Sequence, residues 1–150
     1  MVFIKEIVPK AAITFVANSL YNEHYETQKM KHRWETIGEE MHTEYAWRDD
    51  HTWQKFSVIS GVHAKPIPKK SETEFIIEHY WGYSKRSATK TTQYEVTHPR
   101  WDAYDIKSYT IDVNFGKIYG TEFDSLSTSK PISVMLAEGS EITVEGKSTV

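Results

Sequence analysis

The chain predicts an α+β fold, mainly antiparallel β with two or three helices, and three observations carry that prediction. Residues 25–60 alternate in polarity with period two, as half-buried strands do. Turn-forming residues, Gly38 and then Asp49-Asp50-His51, divide that stretch into a meander. Finally, Ser71 with Glu74 three residues on forms a capping-box pattern, and the short helix it starts leads directly into an aromatic strand.

Composition narrows the function classes. The 150 residues, 39% hydrophobic and 13% aromatic, suit one soluble domain spanning 1–150 with its own core. A net charge of -3 and a pI near 6.2 argue against nucleic acid as a partner, because neutralising a phosphate backbone calls for a basic surface. Without cysteine the chain has no disulfide framework, thiolate metal site or thiol nucleophile. The start carries Lys5 and Glu6 instead of a long apolar run, so no signal peptide is read there. The longest uncharged stretch, 11–22, falls short of the roughly 20 apolar residues that span a membrane. The expected setting is cytoplasmic, with no membrane partner.

In chain order, Val2 to Val8 reads as a strand and Pro9 as the opening of a helix. Ile13, Val16, Ala17 and Leu20 then recur at helical spacing, which predicts an almost wholly buried helix that stops at Asn22. From Tyr25 to Glu35, Lys29, Lys31 and Arg33 alternate with Met30, His32 and Trp34. The next strand sets Met41, Thr43, Tyr45 and Trp47 against Glu40, His42, Glu44 and Arg48, and a third runs from Trp53 to Ser60 with Phe56 and Val58 inward. Gly61 to Lys70 reads as a loop. The helix from Ser71 repeats Phe75 and Ile76 as His79 and Tyr80 on one face, and is expected to end by Gly82. Trp81 and Tyr83 alternate with Gly82 and Ser84 as a strand; Ser84 to Lys90 is a hairpin loop; Thr92, Tyr94 and Val96 return as a strand closed by His98-Pro99. Trp101 to Val113 is another strand, Asn114 to Tyr119 a helical turn stopped at Gly120, and Thr121 to Ser129 a linker. Two strands, Ile132 to Ala137 and Glu141 to Glu145, flank the turn Glu138-Gly139-Ser140.

Four segments carry a family likeness: Glu78-His79-Tyr80-Trp81-Gly82-Tyr83, the run from Tyr94 to Trp101, Tyr119-Gly120-Thr121-Glu122-Phe123, and the run from Met135 to Ile142. Together they resemble the YqjF-type bacterial domain of unknown function. The resemblance implies the acetoacetate decarboxylase-like fold, a cone-shaped antiparallel β-barrel or strongly curved sheet with helices outside. It also implies that the chain starts after the N-terminal strands such proteins usually carry. Acetoacetate decarboxylases place a Schiff-base lysine just after a helix, and the matching stretch here, Leu20 to Tyr25, has Tyr25 where the amine would stand. A phenol cannot form a Schiff base, so decarboxylation by that route is not expected.

The residues leave two functional classes open. In the first, an aromatic-lined pocket binds or transforms a small, partly apolar molecule, with Trp34, Trp47, Trp53, Tyr80 and Tyr83 as walls and Arg33, Glu78, His79 and Glu138 as polar anchors. In the second, the chain is a non-catalytic module that associates with itself through strand edges and aromatic surface, giving a homodimer or higher oligomer. His42-Thr43-Glu44 could begin a metal site, but no second pair completes a ligand set, so neither metal nor cofactor is expected. Lys10, beside a helix start, reads as an exposed lysine.

Overall fold

A computed structural model describes residues 4–149. They form two compact units, each collecting separate stretches of chain: unit 1 takes 4–27, 67–101 and 139–149, and unit 2 takes 28–66 and 102–138. The class is α+β, with mainly antiparallel sheets and a few short helices.

Unit 2 is the predicted meander with a fourth strand added. β3 (Lys29–Ile37), β4 (Glu40–Asp49), β5 (Thr52–Lys65) and β8 (Ala103–Asp112) pair antiparallel in that linear order. Gly38 turns the first hairpin at φ +60°, and Asp50 the second at +51°, each in the left-handed region that these residues tolerate best. Register sets His32 opposite Tyr45 and Trp34 opposite Thr43. β5 runs five residues past its expected end at Ser60 because two register shifts against β8 absorb the irregularity, and pairing resumes at Ala64 and Lys65 before Pro66. α3 (Phe115–Tyr119) follows β8, with the Asn114 side chain accepting the Lys117 amide at 2.8 Å and Gly120 ending it at φ +118°. Trp47, Val113 and Ile118 are its buried apolar residues besides Ala46, and Phe56 bridges Trp47 and Phe115 at ring separations of 5.4 and 6.5 Å.

Several expectations fail in this unit. Phe56, read as inward, is 37% exposed, and the buried positions of β5 are Gln54 and Ser60. The linker 121–129 contains a 3₁₀ segment, Thr121–Ser127. Ile132 to Ala137 is no strand: Ile132 is fully exposed, and its backbone pairing with β8 is a bridge from Ala137 to Ala103 and the Leu136 carbonyl accepting the Tyr104 amide. Contact limited to the end of the segment cannot propagate a ladder.

In unit 1, β1 (Glu6–Val8) lies parallel to β2 (Tyr25–Thr27), joined by α1 (Ala11–Val16) and a π-helical turn, Ala17–Tyr21. Val2 and Phe3 of the expected first strand lie outside the described residues. Asn22 stops the helix at φ 57°, as expected. The Tyr25–Glu35 strand is in fact two: β2 belongs to unit 1, and after Gln28 β3 belongs to unit 2. β7 (Thr91–Thr97) pairs antiparallel with β6 (Trp81–Lys85), with β9 (Thr143–Val144) and with an unforeseen strand, β10 (Ser148–Thr149). α2 spans Glu72–Ile77, and Ser71 Oγ accepts the Glu74 amide at 3.1 Å. The reciprocal arm of the capping box is displaced by one residue, since the Glu74 carboxylate takes the amide of Lys70. α2 also ends earlier than expected. Glu78 leaves helical geometry at ψ 54°, and the His79 ring meets the Ile76 carbonyl at Nδ1, 3.2 Å away.

The largest departure concerns α1, expected to be almost wholly buried: Ile13 and Val16 are each 44% exposed and Leu20 53%. Its apolar periodicity is real, but that face borders a hollow. Neither the closed barrel nor a strongly curled sheet is found among the described residues; all three sheets are open. No helix among them is long and apolar enough to cross a membrane.

Candidate functional site

The site in unit 1 begins with the turn after α1. The Asn18 side chain pins Tyr25 from both sides, accepting its amide at 2.7 Å and donating to its carbonyl at 2.9 Å, while Asn22 Nδ2 donates to the Lys85 carbonyl at 2.8 Å. These bonds fix the chain on either side of Glu23, which is buried at 8% exposure. Tyr94, from β7, reaches it across β6. The slot exists because residue 82 is glycine: a Cβ there would fall inside 3.0 Å of the Tyr94 ring and hydroxyl. The Tyr94 hydroxyl donates to Glu23 Oε1 at 2.9 Å, and the Tyr21 ring meets Tyr94 edge-on at 5.2 Å.

Around this pair lies a hollow of about 410 Å³ lined by Ala12, Ile13, Val16, Ala17, Tyr21, Glu23, Tyr25, Tyr94 and Val144. That volume falls within the range of small-molecule sites, as does the balance of many apolar walls and few polar groups. Tyr25, Tyr94 and Val144 also border a second hollow, of about 320 Å³, to which Glu6, His79, Trp81, His98 and Trp101 contribute. Register places Glu6 of β1 beside Tyr25 of β2.

Burial and like charge set the electrostatics of Glu6, Tyr25 and Tyr94. Burial, and then the Glu23 charge, push the Glu6 carboxyl above its ordinary range. Burial, then Glu6 and Glu23, push the Tyr25 phenol up to about 12. Tyr94 is raised as well, by burial first and by its bond to Glu23 second. Among the described residues no cation pairs with Glu6 or Glu23.

The nine residues singled out from sequence divide between the units. In unit 1, His79 lines the smaller hollow and meets Phe75 edge-on at 5.1 Å. The Tyr80 hydroxyl donates to Glu78 Oε2, whose other oxygen is buried without a partner, and the Tyr80 ring leads into a stack with His98 at 4.8 Å and then Trp101 at 3.9 Å. Tyr83 is half-buried on β6, opposite Gln93. In unit 2, Trp34 and Glu138 share a hollow of only about 140 Å³ with Tyr45 and Tyr104; Trp34 is 64% exposed, and the Glu138 carboxylate accepts the Asp102 amide. Arg33 pairs with Glu35 and borders a polar hollow of about 360 Å³ that also holds His42 and Glu44. Trp47 is core, its indole N–H without a partner, and Trp53 lies under the Lys31 ammonium at 4.6 Å.

Unit 2's polar hollow has its charges already matched, Arg33 with Glu35 and Glu44 with Lys55 at 3.7 Å, whereas among the described residues Glu6 and Glu23 pair with no cation. Among the described residues no group of three or more His, Cys, Asp or Glu is placed to hold a metal ion. Sequence reading missed Glu6, Glu23 and Tyr94. The available signal was Glu23 itself, a carboxylate set between Tyr21 and Tyr25 directly after a helix stop.

No curated protein and no solved structure matches the chain. A family profile described as an uncharacterized conserved protein matches residues 1–141. The chain therefore belongs to the DUF2071 family.

Proposed function

We propose that unit 1 binds a small, partly apolar molecule in the hollow bordered by α1, β2, β7 and β9. The observation that carries this reading is the apolar face of α1. Ile13, Val16 and Ala17 follow the periodicity of a core helix, yet they line a hollow of about 410 Å³ instead of packed side chains. Tyr25, where the sequence resemblance would place a reactive amine, is part of that wall, and no lysine is among the lining residues. The reading therefore excludes a Schiff base and needs only binding.

A second reading, a self-associating module, draws on β3. It lies at the end of its ladder and carries Trp34 and Ile37, 64% and 53% exposed. One experiment separates the two. Thermal shift of the full chain with a panel of small aryl and alkyl alcohols, ketones and amines is compared with the same panel on Ala12→Trp and Val144→Trp, which fill the hollow from exposed positions. Binding in the hollow predicts a raised midpoint that both fillings abolish. Absence of any shift, or a shift both fillings leave intact, refutes the reading; a midpoint that rises with protein concentration alone favours self-association.

A further inference from the structure

Resting on that pocket, we infer that its ligand is an organic cation, an ammonium group carried on an apolar body. Glu23 lines the hollow at 8% exposure, with one oxygen held by Tyr94 and no cation paired with it among the described residues. Glu6 stands behind the shared Tyr25 wall, also without a cation among the described residues. A carboxylate withdrawn from water is costly unless a counter-charge meets it. Here the protein supplies a neutral hydroxyl instead. The Lys147 ammonium is tied to the Leu20 carbonyl and lies over the Tyr21 ring at 5.7 Å, and it is not among the lining residues.

The rest of the lining fits the same chemistry. Tyr21, Tyr25 and Tyr94 surround the carboxylate with π faces and edges, and ring faces attract ammonium groups. Burial first, and the neighbouring carboxylates second, raise the Glu6 carboxyl and the Tyr25 and Tyr94 phenols beside this wall. A bare divalent metal ion fits poorly. Calcium takes six to eight oxygen ligands, and no group of three acidic or imidazole side chains converges among the described residues. The Ile13, Val16 and Val144 surfaces ask for hydrocarbon beside the charge, and about 410 Å³ accommodates a single ring with a short chain.

The test uses three probes of one body on the full-length chain: 2-phenylethylammonium, 2-phenylethanol and 3-phenylpropionate, titrated by calorimetry at neutral pH. The expected order is ammonium, alcohol, carboxylate, with about a tenfold preference for ammonium over alcohol, as for one charge-assisted contact. Glu23→Gln is expected to bring that ratio close to one by weakening the ammonium about tenfold more than the alcohol. Should that variant fail to fold, Glu6→Gln on a separate strand is expected to lower the same ratio. If the alcohol or carboxylate binds as tightly as the ammonium, the cation inference falls and the pocket reading stands. If none of the three binds, both fall.

Discussion

Gly82→Ala tests the architecture of the site most sharply, because local propensity and packing predict opposite signs. Alanine suits a strand better than glycine and narrows the unfolded ensemble, a gain of about 0.4–1 kcal/mol where space allows. At Gly82 space does not allow it: the added methyl would fall inside 3.0 Å of Tyr94 Cζ, Cε2 and Oη. The ring cannot simply swing away, since Tyr94 is only 7% exposed and its hydroxyl holds Glu23 at 2.9 Å. Overpacking costs about 1–3 kcal/mol. Displacing the hydroxyl forfeits a hydrogen bond to a charged group, worth about 1.5–3 kcal/mol. A net loss of about 2–5 kcal/mol is therefore expected in urea denaturation, with faster amide exchange in the β6 and β7 peptides. Gly61→Ala on β5, where nothing stands within 4 Å of the new methyl, is the control and should be neutral or slightly stabilising. Tyr94→Leu in the Gly82→Ala background removes the ring tip, so the double variant should lose less than the sum of the singles. A Gly82→Ala midpoint equal to that of the unmodified chain would mean that Tyr94 does not pack against Gly82 over Glu23.

Two further outcomes follow from named contacts. Ser71→Ala removes the acceptor of the Glu74 amide and should lower stability by about 1 kcal/mol; an unchanged urea midpoint would place the start of α2 elsewhere. In a spectrophotometric alkaline titration, Tyr25, pushed up to about 12, and Tyr94 and Tyr80, also raised, should ionise above the ordinary phenol value of 10.0. Because these phenols are raised above their ordinary value of 10.0, the stability they contribute is full below it and is lost as pH climbs through their folded values. Nine tyrosines titrating together near 10 would contradict the buried site.

Much of the fold was legible where the signal is local. The Ser71 cap, the Gly38 and Asp50 turns, the hairpin between β6 and β7, and the Asn114-to-Gly120 helix all depend on side chains bonding or bending their own neighbourhood. What the sequence hid is non-local. Nothing in the run from Tyr25 to Glu35 marks the change of unit at Gln28, because alternation has the same period on both sides of it. The parallel pairing of β1 with β2 escaped for the same reason, since periodicity carries no direction. Ile132 to Ala137 shows the converse: strand-like residues that bridge to a neighbouring strand only at Ala137 do not become a strand.

The site was harder to read than the fold, and the reason is physical. Apolar residues at helical spacing report that a face avoids water; they do not report whether packed atoms or a ligand-sized space lies opposite. For α1 the answer depends on Tyr94, which meets Glu23 across 71 positions of chain. The polar anchors expected from sequence, Arg33, Glu78, His79 and Glu138, were chosen as charged or titratable groups near aromatic residues. Three of them already have polar partners: Arg33 has Glu35, Glu78 has Tyr80, and Glu138 has the Asp102 amide. Of these, Arg33 has a counter-charge and so has less to offer a ligand, while Glu78 and Glu138 accept only from neutral groups. Glu23 differs in its place, buried at 8% exposure on the wall of the larger apolar hollow, which its contact with Tyr94 far along the chain creates. An unanswered charge in an apolar wall is therefore a stronger guide to this site than the aromatic clusters, most of which complete their own stacks.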